Sequence, residues 1–128
     1  MPYTEIEARE DVDHSILMIT TQGDLNYYIT TKILDTWNKE PRYKTIHYLY
    51  KVMVTSPKDS PLLAMLRREL ADRFDVADIY TAGALAFLEF YRRVGSTYED
   101  VKRVKNGDLP GYTVALKPFC ATPLEETK

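Results

Sequence analysis

Residues 76–94 read VADIYTAGALAFLEFYRRV, and apolar side chains occupy almost every position of this stretch. A helix that is apolar all round is typical of a segment buried in the middle of a protein. Gly83 and the alanines beside it would let a neighbouring helix approach closely. We therefore expect a central helix here, with Arg92 and Arg93 held out at its C-terminal end toward something negative.

Three further stretches favour helices that would pack around this one. Residues 24–39 and 62–74 repeat apolar side chains every three or four positions. Asp24 is a candidate cap for the first stretch, and Ser60 before a proline is a typical start for the second. Gly95 is expected to end the central helix in a left-handed conformation, and the sequence STYE that follows has the spacing of a capping box for a last helix.

Two other parts of the chain are ambiguous. Residues 43–54 fit both the alternation of a strand and the period of a helix, and we favour the helix. Residues 2–9 and 112–117 alternate weakly and could pair as a small two-stranded β element formed by the termini. The fold class that follows is mainly α: a single-domain helical bundle of about four or five helices, with residues 1–119 as the domain and residues 120–128 as a flexible C-terminal tail.

Composition excludes several classes of function. A length of 128 residues fits one domain, and a net charge of −2 does not steer the molecule toward nucleic acid. No apolar run approaches the roughly 20 residues that span a bilayer. The acidic N-terminus lacks the apolar region of a signal peptide, and one cysteine allows no internal disulfide. We expect a cytoplasmic protein with no membrane or nucleic-acid partner.

The spacings of the histidines and the cysteine do not favour a metal site or a catalytic nucleophile. His14, His47 and Cys120 are far apart in the chain and show none of the spacings typical of zinc ligands. Cys120 lies near the expected tail, which is a poor place to hold a nucleophile rigidly. The glycine-rich motifs that bind phosphates are absent as well. We therefore expect no metal site and no cofactor.

Carboxylates offer the one catalytic alternative. Glu7 with Glu10, and Glu69 with Asp72, would each lie one helical turn apart if both segments were helical. Such pairs can hold Mg²⁺, and they are similar to the pattern of the all-α nucleotide pyrophosphatases, although the two pairs lie much farther apart in this chain. Arginines flank the second pair, so a solvated, ion-paired surface is the simpler interpretation.

Glu89 stands out because it is a carboxylate in the most apolar stretch of the chain. A buried carboxylate needs a partner or its pKa rises. Arg92 and Arg93 follow at helical spacings of three and four, so a Glu–Arg ion pair along the helix is the simplest interpretation. The functional alternative is that Glu89 orients one of these arginines toward an anionic ligand or partner.

Several short islands of sequence occur in a fixed order: MPY at the start, GDLNY-x-IT at 23–30, EFYRRV at 89–94, YED-x-K at 98–102 and NGD at 106–108. Together these islands resemble a small, functionally uncharacterised family of proteins from phages, prophages and bacteria. Relative to shorter members, residues 52–73 look like an insertion and the chain after residue 108 like an extension. The resemblance implies no activity; it implies a phage or mobile-element accessory protein in the cytoplasm of the host cell.

The island residues without a local structural explanation form the predicted binding surface: Asn26, Tyr27, Glu89, Arg92, Arg93, Tyr98 and Asp108. Tyrosine rings and arginines would stack on and pair with a phosphate-bearing ligand. The leading hypothesis is a non-enzymatic accessory protein, a homo-oligomer that binds a host protein or a small nucleotide-like anion, with counter-defence as its role. The alternatives are a Mg²⁺-dependent nucleotide hydrolase using Glu69 and Asp72, and a structural or assembly protein whose ten tyrosines form subunit contacts.

Overall fold

A computed structural model describes residues 6–107 and Gly111, and within these residues the chain is helical with no strand. The α-helices are α1 Ile6–His14, α2 Gln22–Lys39, α3 Tyr43–Tyr50, α4 Pro61–Glu69, α5 Val76–Phe90 and α6 Ser96–Asn106. The mainly α helical bundle expected from the sequence is confirmed. Residue contacts group the chain into two compact units, Met1–Gly95 and Ser96–Lys128. Among the described helices, none combines the length and apolarity that crossing a membrane requires.

The N-terminal segment is a helix, so the expected strand at residues 2–9 is wrong for the part that the structure describes. Helix α1 begins at Ile6, and its Val12 side chain is fully buried where α1 packs against α2. Packing of one helical side on a neighbour outweighs the weak alternation of the sequence. The other expected strand, 112–117, and the tail, 120–128, lie outside the described residues.

Helix α2 begins two residues before the predicted Asp24, and Thr21 is its N-cap residue. The Thr21 hydroxyl oxygen accepts a hydrogen bond from the backbone N–H of Asp24 at 3.1 Å. The Asp24 carboxylate in turn accepts from the backbone N–H groups of Thr20 and Thr21 at 3.0 and 3.1 Å. This reciprocal capping box stabilises the helix start and explains why a buried carboxylate is tolerated there.

Residues 43–54 are helical, as favoured from the sequence. Helix α3 continues into a π-helical turn, Lys51–Thr55, and its buried side chains follow a helical period. These side chains are Ile46, Leu49, Val52 and Met53. Tyr48 and Tyr50 are exposed. A strand would place them on the same face as Ile46 and Val52, so the burial of Ile46 and Val52 fits a helix and not a strand.

The predicted start of α4 is confirmed. Ser60 is the N-cap residue, its hydroxyl oxygen accepts from the backbone N–H of Leu63 at 3.1 Å, and Pro61 occupies the first helical position. The helix ends at Glu69, and the turn that follows is anchored by Arg73. The Arg73 guanidinium donates to the carbonyl oxygens of Leu17 and Ile19 at 2.7 and 3.1 Å.

Helix α5 packs on α2, on α4 and on the π-helical turn after α3. Its buried residues are Ile79, Ala82, Gly83, Ala86, Phe87 and Phe90. A Cβ atom on Gly83 would lie 3.2 Å from a Leu63 methyl carbon and 3.5 Å from the Met53 sulfur. The close approach expected at Gly83 is therefore present, because no side chain separates the α5 backbone from α4.

The opposite side of α5 is in water, so burial on all sides is wrong. Leu85 and Leu88 are 52% and 57% exposed. The helices that pack on α5 meet it through the residues on its other side, and they leave this face uncovered. Periodicity cannot reveal such a face, because both sides of the helix are apolar in sequence.

Gly95 does not end the helix in a left-handed conformation. Among the described glycines, Gly107 has a positive φ, of 90°, and Gly95 does not. The chain instead continues through a π-helical turn, Tyr91–Gly95. A Cβ atom on Gly95 would lie 2.7 Å from the Tyr91 ring, so here the small residue makes room for an aromatic ring.

Candidate functional site

A cavity of about 300 Å³ lies between α2 and the C-terminal end of α5. It is lined by Thr30, Leu34, Glu89, Phe90, Arg93 and Val94. Leucine, phenylalanine and valine side chains give it an apolar lining, while the hydroxyl, the carboxylate and the guanidinium supply polar groups. A largely apolar pocket with a few convergent polar groups is the usual form of a small-molecule site.

Glu89 holds the two arginines at one edge of this cavity. Arg92 binds the Glu89 carboxylate through two nitrogens, with N–O distances of 2.7 and 3.3 Å, so the expected Glu–Arg ion pair is confirmed. Arg93 lies farther away, with its closest guanidinium nitrogen 3.7 Å from the same carboxylate. Helical spacings of three and four residues produce this arrangement, because they place all three side chains on one side of the helix.

These neighbours favour the ionised form of the Glu89 carboxyl group. The hydrogen bond from Arg92 is the largest cause that lowers the pKa of Glu89, and the positive charges of both arginines act in the same direction. Partial desolvation opposes them by raising the pKa, but the net direction is downward. The upward shift that would otherwise accompany a carboxylate in an apolar helix is thus overcome by the ion pair.

The Glu89–Arg92–Arg93 cluster carries a net positive charge, and Glu89 and Arg93 of this cluster line the cavity. Two guanidinium groups face one carboxylate, and the Arg92 and Arg93 side chains are 70% and 58% exposed. Arginine offers several N–H donors in a planar fork that matches carboxylates and phosphates. This edge is therefore suited to an anion that enters from the solvent.

Asn26 contacts the cavity indirectly, through Thr30. Both Asn26 and Thr30 are buried on α2, and the Thr30 hydroxyl donates to the Asn26 side-chain oxygen at 3.4 Å. Thr30 lines the cavity itself, whereas Asn26 touches it through Thr30. The predicted site residue Asn26 is thus hydrogen-bonded to a residue that lines the cavity but does not line the cavity itself.

Tyr27 is engaged elsewhere, between α1 and α2. Its hydroxyl donates to both carboxylate oxygens of Asp13 at 3.0 Å, and the Arg9 guanidinium carbon lies 5.4 Å from the ring centre. Desolvation is the largest cause that raises the pKa of Tyr27, followed by the hydrogen bond to Asp13. The residue does not line the α2–α5 cavity, and its contacts tie α1 to α2.

The remaining predicted site residues lie in the second unit or beyond the description. Tyr98 is on α6, where the Lys102 ammonium nitrogen lies 5.7 Å from the ring centre. Asp108 lies outside the described residues. Tyr98 therefore belongs to Ser96–Lys128, while the cavity belongs to Met1–Gly95.

Of the two carboxylate pairs considered for Mg²⁺, Glu7 and Glu10 both lie in α1, whereas Glu69 and Asp72 do not share one turn of a helix. Helix α4 ends at Glu69 and Asp72 lies in the turn beyond it, so the spacing assumed from the sequence is wrong. Each carboxylate pairs with its neighbour: Glu69 with Arg68 at 3.3 Å and Asp72 with Arg73 at 3.6 Å. In the described part of the chain, which leaves out Cys120 and the Glu7 side chain, no three His, Cys, Asp or Glu residues gather as metal ligands.

Sequence reasoning missed a second concave region, the α2–α3 groove. Two adjoining cavities of about 340 and 480 Å³ share the lining residues Thr36, Lys39 and Tyr48. Lys44 also lines it, and its ammonium nitrogen lies 2.8 Å from the Glu40 carboxylate. The helical period of α3 signals that Tyr48 points outward, but only the packing of α3 on α2 places it beside Lys39.

Neither a family model nor a curated protein nor a solved structure matches this chain. The proposed function therefore rests on the residues of the site. Of the predicted set, Glu89 and Arg93 line one cavity, Arg92 is paired with Glu89, and Asn26 is hydrogen-bonded to the lining residue Thr30. Tyr27 lies apart from that group.

Proposed function

We propose that this chain is a non-enzymatic binding protein that takes a small, nucleotide-like anion in the α2–α5 cavity. The observation that carries the proposal is the position of Arg93, which lines a mostly apolar cavity of about 300 Å³ at its charged edge. That volume is at the lower end of the range typical of ligand pockets, roughly 300–1,000 Å³. This volume is compatible with a ligand about the size of a nucleoside monophosphate.

The two parts of such a ligand would meet different sides of the cavity. The phosphate would pair with Arg93 at the edge, since a guanidinium binds phosphate oxygens through parallel N–H donors. The flat base would contact the partly exposed side chains of Leu34 and Val94 and the edge of the buried Phe90 ring, which also line the cavity. Thr30 offers a hydroxyl oxygen near the buried end.

The lowered pKa of the Glu89 carboxyl group favours binding without turnover. A general base near neutral pH works best when its pKa lies close to the operating pH. The pKa of Glu89 is instead lowered by Arg92, so its carboxylate is a weak base that orients the arginines. This residue therefore has a positioning role in the proposal.

The sequence islands extend the proposal to a biological context. The stretch EFYRRV, 89–94, which carries the resemblance to phage and prophage proteins, supplies most of the charged edge of the cavity. We place the protein in the cytoplasm of a phage-infected bacterium, where sequestering a small anion would serve counter-defence. A host protein docked on the same arginines is the alternative partner.

Titrations that follow the fluorescence of Trp37 test the ligand proposal directly. Trp37 is the single tryptophan, and its ring packs edge-on against Phe90 with centroids 5.7 Å apart, so a ligand that contacts Phe90 should change its emission. The probes are a nucleoside monophosphate, the uncharged nucleoside and inorganic phosphate. Arg93→Ala should weaken monophosphate binding by roughly tenfold or more, because a hydrogen bond to a charged group contributes about 1.5–3 kcal/mol.

Arg68→Ala is the matched control, since Arg68 is also an exposed arginine paired with a neighbouring carboxylate. Equal weakening by both variants would indicate a general charge effect and contradict the proposal, as would a wild-type protein that binds none of the probes. Native mass spectrometry of protein from infected cells separates the alternatives. A retained small molecule supports the anion, and a retained host protein supports the other partner.

A further inference from the structure

The uncovered face of α5 forms a regular stripe along the helix. Exposed residues recur at steps of three and four in the order Asp78, Thr81, Leu85, Leu88, Arg92. This is the spacing with which one helix packs along another. The surface at the centre of the stripe is apolar, because it is formed by Leu85 and Leu88, which are both more than half exposed.

The two ends of the stripe carry opposite charges. Asp78 lies in the first turn of α5, and Arg92 follows the helix in the π-helical turn. Both lie seven residues from Leu85, one before it and one after it. The stripe is therefore complementary to a copy of itself that runs in the opposite direction.

We propose that a second copy of this chain docks on the stripe, with the two α5 helices antiparallel and a twofold axis at Leu85. Leu85 then packs against Leu85 of the second copy, and Leu88 packs against Thr81 of the second copy. Asp78 meets Arg92 of the second copy at both ends, so each interface contains two cross-pairs. A twofold interface of this kind uses the same surface on both subunits.

The charges at the two ends of the stripe favour an antiparallel arrangement of the two α5 helices. A parallel pair would place Asp78 against Asp78 and Arg92 against Arg92, which like charges oppose. In the antiparallel pair Arg92 keeps its contact with Glu89 and gains a second carboxylate. Ala77 and Ala84 flank the stripe, and their small side chains allow the helices to approach.

The interface shares Arg92 with the charged cluster beside the ligand site, but its other residues are distinct from that site. Leu85 and Thr81 do not line the α2–α5 cavity, and Arg93 is not part of the stripe. Two helices alone bury less than the roughly 800 Å² per partner of a standard stable interface, so the dimer is weak and reversible. Its population should rise with protein concentration and fall with salt, because the end pairs are exposed.

Sedimentation velocity of the full chain from micromolar to near-millimolar concentration tests this proposal. The wild type should shift toward twice the monomer mass, and Leu85→Gln with Leu88→Gln should weaken dimerisation by more than roughly tenfold. Both leucines face water in the monomer, so thermal unfolding should stay nearly unchanged. A wild type that remains monomeric throughout, or a dimer that survives both substitutions, overturns the proposal.

Charge exchange tests the direction of the helices. Asp78→Lys should weaken the dimer by placing two cations together, and adding Arg92→Glu should restore much of the loss. A double variant that is no better than Asp78→Lys alone overturns the antiparallel register. The single variant Asp78→Lys should still bind the nucleoside monophosphate, so failure of the dimer and failure of the ligand site are distinguishable.

Cross-linking tests the twofold axis itself. In a Cys120→Ser background, Leu85→Cys should form a disulfide-linked dimer on mild oxidation, because the axis brings the two Cys residues together. Lys58→Cys, on an exposed turn away from the stripe, is the control. Equal cross-linking at both positions indicates random collision and contradicts the proposal.

Discussion

The two faces of α5 carry similar apolar side chains but lie in opposite environments. One face, with Phe87 and Phe90, packs on α2, on α4 and on the end of α3. The other, with Leu85 and Leu88, lies in water. The difference arises from backbone proximity: Gly83 on the first face lets α4 approach closely, whereas no helix of the first unit covers the second.

This contrast shows that apolar composition reports a need for burial without saying what provides it. The inner face is covered by the chain's own helices, and its side chains contribute to folding. The outer face remains available to a partner, which is the usual meaning of exposed apolar side chains that cluster. Substitutions on the two faces should therefore affect different measurements, folding stability on one and association on the other.

The largest expected effect comes from truncating the centre of the inner face. Phe87 is 3% exposed, and its ring lies about 6 Å from those of Tyr50, Phe90 and Tyr91. Phe87→Ala should lower the free energy of unfolding by about 3–5 kcal/mol in urea denaturation. Leu88→Ala, one residue along and on the outer face, should change it by less than about 1 kcal/mol. Similar losses for both would contradict the assignment of the faces.

A smaller effect should follow from filling the contact at Gly83. Gly83→Val places branched methyl groups against Leu63, and overpacking of this kind costs about 1–3 kcal/mol of unfolding free energy. The control is Thr81→Val, which puts the same side chain on the exposed face and should leave thermal unfolding nearly unchanged. If Gly83→Val were as stable as wild type, the close approach of α4 would be refuted.

Loss of the α4 cap should weaken the inner face indirectly. Ser60→Ala removes the acceptor for the Leu63 backbone N–H, which should cost about 1 kcal/mol by urea denaturation. Ser60→Asp keeps an acceptor for that N–H, and recovery of stability by this variant would identify the cap as the cause. No loss in the alanine variant would show that water replaces the cap.

The smallest effect should concern the ion pair beside the outer face. The folded-state pKa of Glu89 is lowered below its ordinary value, mainly by the hydrogen bond from Arg92. The contribution of this pair to stability is therefore present above the ordinary glutamate pKa and is lost as the pH falls through the folded pKa. In Arg92→Ala, NMR titration should find the Glu89 pKa raised toward its ordinary value. An unchanged pKa would mean that Arg92 is not its main partner.

The sequence predicted those features well that depend on residues close together in the chain. Ser60 with Pro61 marks the start of α4, and the spacing from Glu89 to Arg92 indicates their ion pair. The helical period of residues 43–54 also prevailed over their alternation. Each of these features depends on contacts between residues within a few positions of one another, so the local sequence is enough to predict it.

The candidate site was predictable in part. Glu89 and Arg93 were identified from the sequence and line one cavity, and Asn26 contacts it through Thr30. Tyr27 was not distinguished from them, because its contact is with Asp13, fourteen residues away in the chain. The α2–α3 groove was missed for the same reason: its lining combines Lys39 and Tyr48 from different helices.

The sequence by itself determined that the described chain is helical, that Ser60 caps α4, and that α5 has apolar side chains on both of its sides. Only the tertiary structure decided which side of α5 is covered, since helix propensity and periodicity depend on residues within a few positions. Burial depends on which helices reach a face, and that is a property of contacts between distant segments. The face that no described helix of its own unit covers, with Asp78 and Arg92 at its two ends, is therefore visible only after folding.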